Sequence, residues 1–387
     1  MSTKTNKKST ARKKAPARQT GPAAQLAARH KKVRAAMRAH QVDALVISNP
    51  RDVGYLIGLP GDDSYFIMTS RKAVLLTDSR YEELLAPVTQ WAQMALRRGP
   101  MAGKLAEVVD GLKCKSVGLQ ADHLTVSARK AIAKSVGARR CADTTGIMAD
   151  IRKIKDDSEI RALRKAVSIA QEAVSATLAD LRVGQSELDL SARLKYEMEI
   201  RGATGPAFGP IVAACANGSK PHYYPSARAK VRAGKPLLID WGAIYRDYRS
   251  DLTRTWSVGT MSRKIREIYQ IVLEAQLAAI DAIKPGAKCL AVDAAARSVI
   301  AKAGYGETFG HGLGHGIGLD VHEMPSLGPR SGANDTLEAG MVVTVEPGIY
   351  LPGVGGVRIE DDVLVTRTGH RVLSSMKKDL ESAVLPV

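Results

Sequence analysis

Residues 236–258 read PLLIDWGAIYRDYRSDLTRTWSV, in which two apolar and β-branched runs flank a turn near Tyr245–Arg246. This pattern predicts two antiparallel strands joined by that turn. Asp240 interrupts the first run and Asp251 follows eleven residues later, so the hairpin places both carboxylates on neighbouring strands. A carboxylate buried in such a run is costly unless a cation compensates its charge.

A second segment, residues 341–365, repeats the pattern as MVVTVEPGIYLPGVGGVRIEDDVLV. Glu346 and Glu360 lie on either side of a turn at Pro352–Gly353, each within Val-, Ile- and Thr-rich sequence that predicts buried strand. Arg358 alone cannot neutralise four converging acids. We therefore predict that the two hairpins together form a site for metal ions.

Residues 309–325, FGHGLGHGIGLDVHEMP, combine three histidines with a glycine at every second position from Gly310 to Gly318. The glycines argue against a helix, so His311 and His315 do not form the i,i+4 zinc pair of a helical motif. An extended glycine-rich strand lets the backbone pass close to a crowded centre, and replacing Gly314 or Gly316 with Val should therefore reduce activity before it affects folding. One imidazole among oxygen ligands favours Mn²⁺ or a similar ion over a thiolate-type zinc site.

The net charge of +18 is concentrated at the N-terminus. Residues 1–25 carry seven Lys and Arg and no acid, in a segment with too few apolar residues to fold, which predicts a basic disordered tail. A solubilising role is the simplest interpretation of this tail. Weak binding of nucleic acid or other polyanions is a second interpretation, and an organelle transit peptide is a third.

Two domains are predicted after the tail. Residues 26–150 alternate short apolar runs with helical stretches, which indicates an N-terminal α/β domain; a helix is predicted over residues 25–40 and another over residues 80–98. Residues 155–387 combine helices and strands without regular alternation, which indicates an α+β domain. It begins with a long helix that Ser158 is predicted to cap, ending at Gly184.

The cysteines and the hydropathy bear on the compartment. The four cysteines are scattered without a C-x-x-C pair, which fits reduced thiols in a cytosol and predicts a cytoplasmic protein. No apolar run approaches the ~20 residues that a membrane span needs, so no membrane partner is predicted.

In its ligand-bearing motifs the sequence resembles the metallopeptidase family that shares the pita-bread fold, which includes methionine aminopeptidase, aminopeptidase P, Xaa-Pro dipeptidase (prolidase) and creatinase. The resemblance covers about residues 26 to 387 and rests on five strings in order: IDWGA, SDLTRT, GHGIGLDVHEMP, VEPGIY and GVRIEDD. It implies an N-terminal domain of the creatinase/prolidase type followed by a pita-bread catalytic domain. The family's five metal ligands fall on Asp240, Asp251, His315, Glu346 and Glu360.

The resemblance also implies a role for each site residue. Asp251 and Glu360 would bridge two divalent ions, expected to be Mn²⁺ with Co²⁺ or Zn²⁺ as alternatives. Asp240 would complete the shell of one ion, and His315 with Glu346 that of the other. The residues that match the remaining active-site positions are His222, His311, His322 and Arg358, with His322 as the catalytic histidine that steadies the developing oxyanion and Arg358 as a partner of the bridging carboxylate.

The implied reaction is hydrolysis of the peptide bond that precedes proline. Two ions would share a water and lower its pKa, giving the hydroxide that attacks the carbonyl, while Glu346 passes the proton to the leaving amine. We expect an Xaa-Pro aminopeptidase, with prolidase as the alternative. A prolidase must recognise a free carboxylate, usually through an arginine, and the nearest candidate is Arg330, which we interpret as a solvated loop residue. The family suggests a homodimer. A non-catalytic relative that binds nucleic acid through the tail is the rival from another class.

Overall fold

The structure, a computed structural model, describes residues 21–386. The chain divides into two compact units, the first ending at Thr145 and the second beginning at Gly146. Most of the predicted basic tail lies outside the described residues. The first helix begins at Pro22, before the predicted end of the tail at residue 25. Proline is favoured at the first position of a helix, where the missing amide proton costs no hydrogen bond.

The first unit is an α/β domain built on a six-stranded sheet in the order β4-β3-β2-β1-β5-β6. The pairs β1–β2 and β2–β3 are antiparallel, and the pairs β3–β4, β1–β5 and β5–β6 are parallel. Its strands are β1 (Ala44–Ile47), β2 (Tyr65–Thr69), β3 (Ala73–Thr77), β4 (Gln93–Leu96), β5 (Val117–Gln120) and β6 (Cys141–Thr144). Its helices are α1 (Pro22–Ala39), α2 (Pro50–Ile57), α3 (Glu82–Leu85), α4 (Met101–Gly111) and α5 (Val126–Val136).

The helix predicted over residues 80–98 is wrong in most of its length. The segment contains the single turn of α3, a 3₁₀ helix over Ala86–Gln90, and the strand β4. Pro87 lies two residues after the end of α3, where it has no amide proton to donate a further helical hydrogen bond. The four residues of β4 are too few to show a strand period, so the helix-forming composition around them dominated the prediction.

The helices of the second unit are α6 (Ile147–Arg152), α7 (Asp157–Ala179), α8 (Glu187–Glu199), α9 (Arg263–Ala282) and α10 (Cys289–Lys302). Helix α6 belongs to this unit, so the second unit begins earlier than the predicted break at residues 150–155. Asp156, not Ser158, caps α7: its carboxylate accepts hydrogen bonds from the Ser158 and Glu159 amides, and the Glu159 side chain accepts from the Asp156 amide. This reciprocal box satisfies two of the otherwise free donors at the helix start.

The described strands of the second unit form sheets of four, five and three strands and one two-stranded hairpin. A four-stranded sheet has the order β20-β12-β9-β8, a five-stranded sheet the order β14-β13-β15-β18-β19, and a small sheet the order β11-β10-β7; β16 pairs with β17. The strands are β7 (Gly205–Pro206), β8 (Ile211–Ala214), β9 (Pro236–Trp241), β10 (Ala243–Tyr245), β11 (Tyr248–Arg249), β12 (Leu252–Val258), β13 (Gly314–Gly316), β14 (Glu323–Leu327), β15 (Val342–Val345), β16 (Gly348–Leu351), β17 (Gly355–Arg358), β18 (Asp361–Val365), β19 (His370–Val372) and β20 (Val384–Leu385).

Two hydrophobic clusters hold these sheets. Helices α7 and α8 pack on the four-stranded sheet, where the wholly buried Trp241 donates from its indole nitrogen to the Ala170 carbonyl at 2.8 Å. Helices α9 and α10 pack against Val343, Val345 and their neighbours in the five-stranded sheet. The second unit is therefore α+β, as the sequence predicts, with two buried sheets whose strand ends can face a common site. Within residues 21–386, no helix combines the length and apolarity that a membrane crossing requires.

Candidate active site

The hairpin of β9 and β12 carries the first two acids. Asp240 lies within β9 opposite Thr253, and Asp251 directly precedes β12. Both side chains are buried. The structure thus brings the two aspartates together as the hairpin pattern predicts, although the connection includes the extra short pair β10–β11.

The two glutamates occupy breaks between strands, where the sequence predicts continuous strand. Glu346 lies between β15 and β16, and Glu360 lies between β17 and β18. At these breaks the chain passes between the β16–β17 hairpin and the five-stranded sheet. The Glu360 amide donates to the Thr253 carbonyl at 3.1 Å, which connects this break to β12.

All five predicted ligands converge. Single carboxylate oxygens of Asp240, Asp251 and Glu360 lie within 4.8 Å of one another. His315 Nε2 lies 3.3 Å from Glu346 Oε1 and 3.9 Å from Asp251 Oδ2. Asp251 is therefore placed between the three-carboxylate group and the His315–Glu346 pair, as a residue shared by two ions would be.

The carboxylates of this site outnumber the positive charges beside them. Burial raises the pKa of Asp251 and of Glu360 well above the ordinary values, and the neighbouring carboxylates raise both further. Burial also raises the pKa of Asp240, although Arg358 opposes this. Buried Asp240 Oδ1 has no amide, hydroxyl or amine donor in the described part of the chain. Divalent cations fit this donor set, because they would supply the missing charge and a partner for the free oxygen.

His315 and Glu346 form a pair in which each partner offsets the effect of burial on the other. Burial alone would lower the pKa of His315, but Glu346 outweighs it and raises that pKa. Burial would raise the pKa of Glu346, but the hydrogen bond and charge of His315 lower it. Backbone contacts orient the imidazole: its Nδ1 lies 3.1 Å from the Gly316 carbonyl, which leaves Nε2 directed at the acids.

Arg358 contacts Asp240 and two side chains that sequence reasoning missed, Thr253 and Tyr350, and Tyr350 connects it to His311. Its guanidinium donates to Asp240 Oδ2 at 2.5 Å, to Thr253 Oγ1 at 3.0 Å and to the Tyr350 hydroxyl at 2.9 Å. Tyr350 also lies 2.9 Å from His311 Nε2. Thr253 and Tyr350 are ordinary strand residues in the sequence, and only the folded sheets show which charged groups they contact.

His311 lines the cavity, but its ring nitrogens are occupied. Nδ1 lies 2.8 Å from the Gly312 carbonyl, so it carries the proton, and Nε2 accepts from Tyr350. Burial lowers the pKa of His311, and burial raises that of Tyr350 to about 12, so both are neutral near pH 7. The structure therefore places His311 as a support for Tyr350 and Arg358, with no ring nitrogen left for a substrate.

His322 and His222 lie at the mouth of the cavity. The His322 ring is 4.3 Å from that of His315, in an edge-on arrangement. Burial lowers the pKa of His322, as do the neighbouring His315 and His222. Both mouth histidines are exposed enough to meet a ligand. The structure thus brings the predicted His222 to the same cavity from a distant loop.

Buried Glu187 anchors the loop that carries His222. It accepts hydrogen bonds from the Ala214 amide at 2.8 Å, the Asn217 side chain at 2.9 Å and the Ser226 amide at 3.1 Å. Sequence reasoning missed Glu187, because an acid in the first turn of a helix is ordinarily explained by the helix dipole. Its wholly buried side chain is the signal that only the structure supplies.

The glycines of β13 allow the backbone of the neighbouring strands to approach closely. A Cβ at Gly314 would lie 2.1 Å from the Thr344 carbonyl oxygen, and one at Gly316 would lie 2.2 Å from that of Met324. These contacts are to the flanking strands β15 and β14, not to the metal site. The prediction that valine at Gly314 or Gly316 affects activity before folding is therefore wrong, since it would first disrupt strand pairing.

The acids form the floor of a cavity of about 740 Å³. This volume lies within the range of small-molecule sites. Helix α8 lines one side, and the loop of residues 221–225 lines another. The apolar part of the wall consists of Leu188, Phe208, Pro210, Ile211, Pro221, Tyr223, Tyr224, Pro225 and Val321.

Comparisons with known proteins agree with this geometry. Residues 161–367 match the model of metallopeptidase family M24, and residues 29–154 match that of the creatinase/prolidase N-terminal domain. An Xaa-Pro dipeptidase of Pyrococcus horikoshii is 35% identical over 356 residues, which cover 90% of this chain and 97% of that protein.

Two solved structures are similar over nearly the whole chain. An Xaa-Pro dipeptidase from Bacillus anthracis is 37% identical with a TM-score of 0.89, covering 93% of this chain and 100% of that one. An X-Pro aminopeptidase from Thermotoga maritima is 34% identical with a TM-score of 0.83, covering 91% and 100%. With its acidic cluster, its two matched domains and these relatives, the chain belongs to metallopeptidase family M24 and has the creatinase-type N-terminal domain followed by the pita-bread catalytic domain.

Proposed function

We propose that this protein is a prolidase, a metal-dependent exopeptidase that hydrolyses the peptide bond of Xaa-Pro dipeptides. The convergence of the five ligand residues on one cavity carries the proposal of metal-dependent hydrolysis. The similarity to Xaa-Pro dipeptidases over about nine-tenths of the chain supports the choice of substrate. From the sequence, Xaa-Pro aminopeptidase is the first expectation and prolidase the alternative. The relatives favour prolidase, and both enzymes would cleave the peptide bond before proline.

The metal set that we propose is two divalent ions, most simply Mn²⁺, held by Asp240, Asp251, His315, Glu346 and Glu360. Four carboxylates and one imidazole are a hard, oxygen-rich set of the kind that suits Mn²⁺. The bound ions would polarise the scissile carbonyl and lower the pKa of a water molecule.

The protein's own residues would then handle protons and charge. The lowered pKa of Glu346 keeps it ionised at neutral pH, ready to take the water's proton and pass it to the leaving prolyl nitrogen. His322 and His222 line the mouth, where they would donate to the carbonyl oxygen as its negative charge develops. His311, Tyr350 and Arg358 would act by holding Asp240 in place.

A second candidate is Xaa-Pro aminopeptidase activity on longer peptides. The similarity to the Thermotoga maritima X-Pro aminopeptidase favours it. A cavity of about 740 Å³ also has room for more than the two residues of a dipeptide.

The deciding experiment compares Ala-Pro with Ala-Pro-Ala as substrates of the protein loaded with Mn²⁺. We expect faster cleavage of Ala-Pro, loss of cleavage on chelation and recovery with added Mn²⁺. Glu346→Gln should abolish cleavage, whereas Glu307→Gln, the same change at an exposed position outside the cavity, should not. Faster cleavage of Ala-Pro-Ala would establish the second candidate. No metal-dependent cleavage of either, with salt-sensitive binding of nucleic acid, would establish the non-catalytic rival.

Three finer properties remain predictions of the sequence: a homodimer, a cytoplasmic location and weak polyanion binding by the basic tail. The residues of the tail up to residue 20 lie outside the described part of the chain. Light scattering would test the dimer, and a heparin column with and without residues 1–20 would test the tail.

A further inference from the structure

Helix α8 presents one lysine to the cavity. Leu188, Ser191 and Lys195 all line it, and their spacing of three and four residues places them on one helix face. Lys195 is half-buried, so its stem lies against the wall while its ammonium group can reach the cavity.

The ammonium group of Lys195 makes no hydrogen bond or ion pair with any residue of the range 21–386. Other partly or wholly buried lysines of this unit are paired: Lys155 lies 3.1 Å from Glu323, and Lys378 lies 2.7 Å from Asp361. A lysine withdrawn from water ordinarily has such a partner. The place of Lys195 in the cavity wall suggests that its partner is a ligand.

The charged groups of the cavity indicate that this ligand is the free carboxylate of a substrate. Two divalent ions would balance the four carboxylates of the floor, but no unpaired cationic side chain of the described residues lies there for the free carboxylate at the other end of a dipeptide. Arg358 also lines the cavity, but it is already paired with Asp240. A cation at the wall, away from the metal site, would pair with the negative charge that such a substrate carries at its C-terminus.

Arg330, the arginine that the sequence offered for binding a substrate carboxylate, does not reach the cavity. Arg330 is exposed and is not among the residues that line the cavity. Ser326, which lies on β14 directly after the HEMP string, does line it, but serine carries no charge. Among the lining residues in the described part of the chain, Lys195 is thus the cation without an internal partner.

We propose that Lys195 binds the free C-terminal carboxylate of the dipeptide and makes the enzyme select dipeptides over longer or capped peptides. This rests on the proposed prolidase function and names the residue that sets its substrate length. A charged hydrogen bond of this kind selects by attraction, so it does not require a cavity that excludes longer peptides by size.

The test compares Ala-Pro, which has the carboxylate, with Ala-Pro-amide, which does not. For Lys195→Met we expect kcat/KM on Ala-Pro to fall by about 10- to 100-fold, mainly through KM, with the amide unchanged. Lys195→Arg should keep most of the preference. Lys165→Met removes the same charge from an exposed position on α7 and should change neither substrate. If the amide is cleaved too slowly to measure, its inhibition constant against Ala-Pro gives the same comparison.

The outcomes separate the two proposals. Wild-type protein that fails to cleave Ala-Pro at all would remove the prolidase proposal itself. Wild-type activity with Lys195→Met affecting acid and amide equally, or affecting neither, would overturn the role of Lys195 alone. Thermal melts of each variant would confirm folding, and Lys195→Gln replaces Lys195→Met if the latter does not fold.

Discussion

Glu360 and Asp361 are neighbours in the chain, and both are buried, yet they lie in opposite electrostatic settings. Asp361 belongs to a closed cluster, in which Arg254 and Lys378 each approach it at 2.7 Å. Burial would raise the pKa of Asp361, but these two cations lower it to about 2. Glu360 belongs to the open cluster with Asp240 and Asp251, where burial and the neighbouring acids raise its pKa well above the ordinary value.

A structural buried acid and a metal ligand differ in the source of their positive partner. In the closed cluster the protein supplies the cations, so the charge balance is complete without a metal. In the open cluster Arg358 is the one guanidinium that the described residues place against the acids. The acids of the open cluster therefore outnumber the cations beside them, and bound metal ions would balance the excess negative charge.

The largest expected effect is on catalysis. Glu360→Gln keeps the shape of the side chain but removes the charge that would hold the ions, so we expect peptidase activity to fall by more than about 10³-fold, corresponding to several kcal/mol of lost stabilisation. Metal analysis should show less than the wild-type content. Wild-type metal content together with full activity would mean that Glu360 is not a ligand.

The next effect breaks the closed cluster. Arg254→Met leaves Asp361 buried beside one partly exposed lysine, and we expect the free energy of unfolding to fall by about 3–5 kcal/mol. Lys378→Met serves as the matched control on the same carboxylate and should cost less, because Lys378 is nearer the solvent. Urea unfolding of the metal-free protein measures both. Equal costs would show that burial does not distinguish the two cations.

A smaller effect of opposite sign is expected for the open cluster. Asp251→Asn removes a carboxylate that the metal-free protein cannot balance, so it should raise the free energy of unfolding by about 1–3 kcal/mol. Asp361→Asn should lower it under the same conditions. Urea titrations after chelation compare the two. Destabilisation of both variants would show that the open cluster holds no more unbalanced charge than the closed one.

The smallest effect concerns pH and a second balanced acid, Glu323. Burial would raise the pKa of Glu323, but Lys155 and Arg152 outweigh it and lower that pKa. A lowered carboxylate pKa contributes stability above the unfolded value near 4.5, and this contribution disappears as the pH falls through the folded value. Wild-type protein should thus lose more stability than Glu323→Gln between pH 6 and pH 3. Parallel pH profiles would contradict this.

Much of the site could be predicted from the chain, because its acids interrupt apolar runs. Asp240 is detectable in this way, since a charge in a β-branched strand has few explanations other than a ligand or a buried pair. The same composition hid the strand breaks at Glu346 and Glu360, because Val and Ile continue on both sides of each break. The composition of a strand indicates that it is buried, but it does not indicate the residue at which the chain passes from one sheet to the next.

The rest required contacts between distant parts of the chain. Glu187 and Tyr350 have ordinary positions in a helix and a strand, and their roles depend on partners that lie up to 39 residues away. Lys195 is an unremarkable helix residue until the cavity beside it is known. The error over residues 80–98 has a local origin, since good helix formers surround a strand too short to show its period.

One contact joins the two clusters: Arg254 donates to the main-chain carbonyl of Glu360 at 2.5 Å, while Thr253 donates to the side chain of the same residue. The backbone that aims Glu360 is therefore fixed by an ion pair that contains no metal. In proteins whose metal sites form only on binding, removal of the ion unfolds the chain. Because Glu360 is supported here by Arg254 and Thr253, we expect it to keep its place after chelation, so that the ions can be removed and replaced in the folded protein.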